Sequence, residues 1–231
     1  MKLRYDTILF DIDDTLLDFK KAEKSALRKV FLDHNYTFNE DIEKRYNEIN
    51  NGLWRDFEKG LIEKSVITKT RFQKLFDEIG IVADGENFNF LYLAALSEGH
   101  DLINGALEIC DELSKSCRLY FVTNGISKTQ HKRIDASGLR PYFLDTFVSE
   151  DTGYQKPMKE YFDYVFDRIP DLNLKKTLIV GDSLSSDIKG GVQAGLDSCW
   201  YNPRALENTF CDVKPTYEIK ELNELLNIIK G

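Results

Sequence analysis

The chain contains 231 residues, of which 42% are apolar, 12% aromatic and 30% charged. This composition can bury a substantial hydrophobic core, so it excludes a disordered chain and a small fold that depends on disulfides. With 31 basic and 39 acidic side chains, the formal net charge is −8, which disfavours broad electrostatic binding to nucleic-acid polymers or anionic membranes. We expect one large domain, or a domain with an insertion. A small anionic ligand is compatible with this charge if the site supplies local positive charge.

Apolar runs and cysteines predict the compartment. Residues 7–10 run directly into Asp11, which leaves no apolar stretch long enough for a signal peptide. The longest apolar run, residues 90–96, has seven residues, whereas a membrane-spanning helix needs about 20. We expect a soluble, cytoplasmic protein with no membrane partner. Free or buried thiols are favoured over zinc ligands or disulfides for the four cysteines, which are Cys110, Cys117, Cys199 and Cys211.

Short apolar runs predict the strands of a parallel sheet. Residues 7–10, 119–122 and 177–180 are continuous runs of apolar or β-branched residues, a pattern typical of strands buried on both faces. Weaker candidates lie at 146–148 and 198–201. Because helical spacing occurs between and after these runs, we predict an α/β fold, a doubly wound Rossmann-like sheet of about five parallel strands.

Residues 18–98 show a different pattern. They lack convincing strand runs, and apolar residues recur there at helical spacing, in segments 19–30, 42–53, 72–79 and 88–96. We therefore expect an α-helical insertion, 18–98, in a Rossmann-like core formed by 1–17 and 99–231. Open α/β sheets bind ligands at the carboxyl edge, so an insertion placed there would act as a mobile lid.

Acidic residues follow two of the predicted strands. Asp11 and Asp13 come directly after the first, and Asp182 follows the run at 177–180. Crowded carboxylates raise one another's pKa unless a cation or a proton intervenes, and Mg²⁺ prefers oxygen ligands. Alone, the first segment is equally compatible with a solvated turn or a helix cap, and the second indicates only the start of a helix. Because parallel strands end at the same edge, we expect Asp11 and Asp182 to converge on one ion, with Asp187 orienting the ligands or capping a helix.

Two further segments could bind an anion. Thr123, Asn124 and Gly125 end the second predicted strand, and the glycine lets backbone N–H groups approach an oxyanion. Lys156 precedes Pro157, which disfavours α geometry at the lysine and opens the following helix. Its charge could neutralise a phosphate. Taken singly, these residues are explained more simply as a strand-ending turn and a surface lysine.

Together, these pieces occur in the order of the motifs of the haloacid dehalogenase superfamily of phosphohydrolases. The chain resembles that superfamily over nearly its whole length, including the helical cap inserted after the first strand. The four motifs are Asp11-Ile12-Asp13-Asp14-Thr15, Thr123, Lys156, and Gly181-Asp182-Ser183 with Asp187. The ordered set is far more specific than any single member. The resemblance implies a haloacid dehalogenase-like fold and phosphoryl-transfer chemistry.

The same resemblance implies roles for the acidic residues. Asp11 is the expected nucleophile, which attacks phosphorus and forms an aspartyl-phosphate. Asp13 is the expected acid and base, which protonates the leaving oxygen and then activates water. The resemblance also implies Mg²⁺ as the cofactor, held by Asp11, the backbone carbonyl of Asp13, and Asp182.

Further roles follow from the resemblance for the groups that bind phosphate. Thr123 and the Asn124 backbone would bind the phosphoryl oxygens, and Lys156 would balance the charge of nucleophile and phosphate. Without such charge, an anionic carboxylate attacking an anionic phosphate would be strongly opposed. The expected supporting residues are Asp187, Ser183 and Thr15.

Asp13 and two segments near the cap also indicate which class of substrate to expect. Members that cleave carbon–halogen bonds replace the second aspartate, so Asp13 argues against dehalogenation. Segments 51–60 and 14–19 are similar to capped enzymes related to bacterial pyrimidine 5′-nucleotidases. Trp54, Phe57 and Phe19 could offer a face to a nucleobase, but the i, i+3 spacing of Trp54 and Phe57 favours a place in the core of the cap for these two.

We therefore expect a Mg²⁺-dependent phosphomonoester hydrolase that acts on a small phosphorylated metabolite, with a nucleoside 5′-monophosphate as the leading substrate. It would work as a monomer or weak homodimer and would not bind nucleic-acid polymers. One alternative is a sugar-phosphate phosphatase or phosphomutase of the same superfamily. Another is a phosphate-binding regulatory protein without turnover.

Overall fold

The computed structural model describes residues 3–210 and 212–230. These residues divide into two compact units, one that spans Phe19–Gly99 and one that contains the residues up to Asp18 and those from His100 onward. None of the helices within this described part combines the length and the apolar character of a membrane span.

The unit Phe19–Gly99 is helical. Its helices are Phe19–Asp33 (α1), Glu40–Glu58 (α2), Lys64–Ile79 (α3) and Gly85–Leu96 (α4). Helix α4 begins after Asp84, whose carboxylate accepts hydrogen bonds from the backbone N–H groups of Glu86 and Asn87, a cap worth about 1 kcal/mol. The helices pack around a mainly aromatic core that includes Phe31, Phe72, Phe76, Phe88 and Tyr92.

The other unit is built on a sheet in which the described residues form six strands, all parallel. In chain order the strands are Thr7–Phe10 (β1), Arg118–Thr123 (β2), Asp145–Val148 (β3), Thr177–Gly181 (β4), Asp197–Tyr201 (β5) and Tyr217–Ile219 (β6). Their spatial order is β3-β2-β1-β4-β5-β6. Phe10 lies in register with Phe121 and Val180, so the carboxyl ends of β1, β2 and β4 lie side by side. The predicted α/β fold with a parallel, doubly wound sheet is confirmed.

Helices cover both faces of this sheet. They are Ala106–Ser114 (α5), Ser127–Ser137 (α6), Ser149–Thr152 (α7), Lys159–Arg168 (α8), Lys189–Gln193 (α9) and Leu225–Lys230 (α10). Successive side chains of β1 point to opposite faces. Ile8 and Phe10 belong to a core shared with α5 and α10, whereas Leu9 belongs to a second core shared with α8. The three-layer arrangement leaves the ends of the strands to carry the polar residues.

The structure adds elements that the sequence pattern does not predict. Strand β6 has only three residues and lies at the edge of the sheet, and its central residue, Glu218, is exposed. Helix α6 lacks a continuous apolar stripe, although Ile134 is buried. The expected buried free thiols are present at Cys110, Cys117 and Cys199. The fourth cysteine, Cys211, lies outside the described residues.

Candidate active site

Asp11 extends strand β1 by one residue and carries the central carboxylate of the site. Its backbone N–H donates to Val180 O at 2.9 Å, which continues the pairing with β4. The side chain is buried. Oδ1 accepts a hydrogen bond from Lys156 Nζ at 2.7 Å, and Oδ2 accepts one from Thr15 Oγ1 at 3.2 Å. Both carboxylate oxygens are therefore oriented by neighbouring side chains.

A tight turn after Asp11 brings Thr15 back to the site. The N–H groups of Leu16 and Leu17 both donate to Ile12 O at 2.9 Å. Within this turn Asp14 has a φ of 56°, a left-handed conformation that aspartate adopts more readily than most residues. The hydroxyl of Thr15 donates to Asp11 and accepts from the backbone N–H of Asp182 at 3.1 Å. Thr15 thus ties the loop after β1 to the loop after β4.

Lys156 is 1% exposed, and its ammonium is surrounded by acceptors. It donates to Asp11 Oδ1 and Asp187 Oδ1 at 2.7 Å each, and to Val122 O at 2.8 Å. These acceptors match the three protons of an ammonium. The backbone of Lys156 is held by the side-chain amide of Asn124, which donates to its carbonyl and accepts from its N–H, both at 2.9 Å. The end of β2 therefore fixes the position of the lysine.

Asp187 lies next to the lysine because the chain turns sharply after β4. Its Oδ2 accepts from Ser183 N at 3.1 Å, across a π-helical turn, Leu184–Ile188. A Cβ at Gly181 would lie well inside van der Waals contact with Asp187 Oδ2, so a glycine is required where the carboxylate approaches the strand. The carbonyl of Asp182 accepts from Trp200 Nε1 at 2.8 Å, which anchors this loop to β5.

Three carboxylates meet at this edge of the sheet. Asp11, Asp182 and Asp187 each offer an oxygen, and these oxygens all lie within 4.8 Å of one another. Mg²⁺ favours such an oxygen-only donor set, and the single ammonium of Lys156 leaves an excess of negative charge, so the residues fit this ion. Asp187 already accepts from Lys156 and Ser183, which suits it to orienting the other groups.

Burial and neighbouring charges shift the pKa values of Asp11 and Lys156. Burial, followed by the negative charge of Asp187, raises the pKa of Asp11 to about 8, although Lys156 acts in the opposite direction. Burial would lower the pKa of Lys156, but the charges of Asp11 and Asp187 outweigh this effect, and the pKa is raised. Lys156 therefore stays protonated, and its charge is shared by two carboxylates.

Asp13 is held by two residues that the sequence analysis does not single out. Its Oδ1 accepts from Arg133 Nη1, and its Oδ2 accepts from Gln130 Nε2 at 2.9 Å. Both partners lie on α6 and are buried. Gln130 Nε2 also donates to Thr123 Oγ1 at 2.9 Å. The signal for these residues is their spacing of three, which places them on one face of a helix.

The aromatic residues proposed for a nucleobase lie in the helical unit. Leu53, Phe57 and Ile67 form a small buried cluster, and Trp54 packs against it. The rings of Trp54 and Phe57 meet edge to face, with centroids 5.7 Å apart. Phe19 is partly buried against the aromatic core of the same unit. These contacts agree with a role in packing.

The family model, the related sequences and the solved structures all indicate the same family. Residues 5–195 match the model of haloacid dehalogenase-like hydrolases. The chain is 52% identical to the HAD-hydrolase YfnB of Bacillus subtilis over 98% of this chain and 96% of that protein. A crystal structure of YfnB bound to magnesium superposes with a TM-score of 0.94 over 99% of this chain and 100% of the other.

Two relatives carry a more specific name. The chain is 37% identical to the pyrimidine 5′-nucleotidase PynA of Streptococcus pneumoniae, over 97% of this chain and 95% of that protein. It is 30% identical to the pyrimidine 5′-nucleotidase YjjG of Escherichia coli, over 98% of this chain and 99% of that protein. With the family model covering most of the chain, this protein belongs to the haloacid dehalogenase-like hydrolases and is an enzyme of that family.

Proposed function

We propose that the protein is a Mg²⁺-dependent phosphomonoester hydrolase that works through an aspartyl-phosphate on Asp11. The observation that carries this proposal is the buried Asp11 carboxylate, held by Lys156 and Thr15 beside two further carboxylates. Hydrogen bonds to both oxygens orient the nucleophile before substrate binds. The excess of carboxylates supports a divalent cation as the partner of an anionic phosphate.

The residues of this chain divide the first half-reaction between them. A carboxylate oxygen of Asp11 attacks phosphorus, the bond from phosphorus to the leaving oxygen breaks, and Asp13 transfers its proton to that oxygen. Thr123 and the backbone N–H of Asn124 bind phosphoryl oxygens. Lys156 balances the negative charge of the nucleophile and the phosphate.

The second half-reaction regenerates the enzyme. A water molecule attacks the phosphorus of the aspartyl-phosphate while the Asp13 carboxylate takes its proton, and Asp11 and inorganic phosphate are released. Mg²⁺, held by Asp11, Asp182 and the backbone carbonyl of Asp13, would supply positive charge that stabilises the transferring phosphoryl group.

For the substrate, we propose a nucleoside 5′-monophosphate. The names of PynA and YjjG support this class. We propose that the helical insertion, 18–98, serves as the cap of this enzyme, and that polymers are not substrates. The two segments that join the insertion to the sheet unit pair with each other. Asp18 N donates to Asp101 O at 2.9 Å, and Leu17 forms an isolated β-bridge with Leu102. Such a pairing suits a hinge.

The experiment is a screen of phosphate release by the purified full chain with Mg²⁺. The panel contains pyrimidine and purine 5′-monophosphates, sugar phosphates and 4-nitrophenyl phosphate. We expect release from the nucleotides and from the aryl ester, and none from either with the Asp11→Asn variant. Normal turnover by Asp11→Asn would refute the assigned nucleophile, and isomerisation of a sugar phosphate without release would select a mutase.

A further inference from the structure

Helix α6 carries two buried polar side chains that face the proposed reaction centre. Gln130 and Arg133 are 2% and 0% exposed. Burying a guanidinium is costly unless it is paired. The helix begins at Ser127, and one residue separates it from the Thr123-Asn124-Gly125 segment, so the same stretch of chain supplies the phosphate-binding hydroxyl and this pair.

The hydrogen bonds among these groups form one connected network. Arg133 Nη1 donates to Asp13 Oδ1 and to Gln130 Oε1, the latter at 2.9 Å. Gln130 Nε2 donates to Asp13 Oδ2 and to Thr123 Oγ1, both at 2.9 Å. The reverse orientation of the amide would set its oxygen against the Asp13 carboxylate and its nitrogen against the guanidinium. The network therefore permits only one orientation of Gln130.

This network fixes the plane of the Asp13 carboxylate without closing it off. Each carboxylate oxygen accepts from one of these two side chains, and each has a second lone pair that can carry or receive a proton. The Asp13 side chain is 28% exposed, whereas Arg133 is buried. The carboxylate is thus held from its buried side, and its other side is open for proton transfer.

The same network sets the direction of the Thr123 hydroxyl. Its oxygen accepts from Gln130 Nε2 and from Gly125 N, at 2.9 and 3.1 Å. Both lone pairs are then used, and the hydroxyl proton is left to donate to another acceptor. A Cβ at Gly125 would come within 2.6 Å of the Gln130 side chain, so the glycine makes the space that Gln130 occupies.

We propose that Gln130 and Arg133 are positioning residues for phosphoryl transfer. Arg133 and Gln130 hold Asp13 in the orientation that protonates the leaving oxygen, and Gln130 also holds Thr123 as a donor to a phosphoryl oxygen. This inference rests on the proposed function. It assigns the two residues an action through Asp13 and Thr123, with no contact to substrate required.

The test compares two esters that differ in their need for an acid. 4-Nitrophenyl phosphate has a leaving group that departs with little protonation, whereas a nucleoside 5′-monophosphate has an alkoxide leaving group that needs a proton. The variants are Arg133→Lys, which keeps the charge without the planar fork, and Gln130→Met, which keeps the length without the amide. Lys128→Met, at an exposed position on the same helix, is the matched control.

We expect kcat/KM of Arg133→Lys and Gln130→Met to fall about 10- to 100-fold further for the nucleotide than for the aryl ester, because general acid catalysis is worth about 10²- to 10⁴-fold. The parameter kcat/KM reports the steps up to departure of the leaving group, so the shared hydrolysis step does not mask the difference. Gln130→Met should also weaken inhibition by inorganic phosphate more than Arg133→Lys does. The control should match wild type on both esters.

Two outcomes distinguish a failure of this inference from a failure of the proposed function. Equal losses on both esters, with unchanged inhibition by phosphate, would mean that the pair only supports the fold and would overturn the inference. A wild-type chain that hydrolyses neither ester would instead overturn the proposed function. If one variant fails to give a folded circular dichroism spectrum, the other variant decides.

Discussion

Replacing Lys156 by methionine tests the electrostatics of the buried site. The ammonium donates to Asp11, Asp187 and Val122 O at 2.7 to 2.8 Å. Methionine occupies a similar volume but offers neither charge nor donor. The substitution therefore leaves two buried carboxylates without the cation between them.

The stability cost of Lys156→Met follows from the burial of Lys156 and its carboxylate partners. Removing one partner of a buried ion pair destabilises a protein by about 3–5 kcal/mol. Lys156 acts to lower the pKa of Asp11, so its loss raises that pKa further and a larger fraction of this carboxyl is protonated, which relieves part of the repulsion. We expect the free energy of unfolding to fall by about 3 kcal/mol, the lower end of that range. A protonated carboxyl is a poor nucleophile, so turnover should also fall by at least about 10²- to 10³-fold.

The measurement is urea unfolding with a chelator present, so that metal binding does not contribute. Lys128→Met, at an exposed site, should stay within about 0.5 kcal/mol of wild type. The double variant Lys156→Met/Asp187→Asn should regain about 1 kcal/mol or more relative to Lys156→Met, because it removes one stranded charge. A Lys156→Met protein within about 1 kcal/mol of wild type would refute the assignment of a stabilising buried pair.

Three further predictions concern the same edge of the sheet. Asp13→Asn should lower kcat/KM for a nucleotide more than for 4-nitrophenyl phosphate, and equal losses would contradict its role as the acid. Gly181→Ala should lower the free energy of unfolding by about 1–3 kcal/mol, because the added Cβ displaces the Asp187 carboxylate; a thermal melt at the wild-type midpoint would speak against that contact. Chelation should abolish phosphate release and added Mg²⁺ should restore it, so turnover that persists in excess chelator would exclude the proposed cofactor.

The sequence predicts the sheet and the meeting of the acidic residues because both depend on strong local patterns. Strands β1, β2 and β4 are buried on both faces, so their sequences are continuous apolar runs. Once these strands are parallel, their carboxyl ends must share an edge, and Asp11 and Asp182 must approach one another. Strand β6 lacks this signal because it is short and lies at the edge.

The residues that the sequence does not predict owe their positions to other side chains. Gln130 and Arg133 are polar residues on a helix without a continuous apolar stripe, yet both are buried because Asp13 and Thr123 supply their partners. Asn124 is a similar case. The sequence predicts a role for its backbone, whereas its side-chain amide braces Lys156. A pattern of hydrophobicity carries no information about such polar pairings.

The hydrogen bond from Trp200 to the Asp182 carbonyl has a practical consequence. The chain contains two tryptophans, and the other, Trp54, belongs to the helical unit. A Trp54→Phe protein would retain one indole, whose N–H is attached to the backbone of a proposed magnesium ligand. Its emission would then change as that loop adjusts, and titrating cation or phosphate against this intrinsic fluorescence would follow occupancy of the site without a label or turnover.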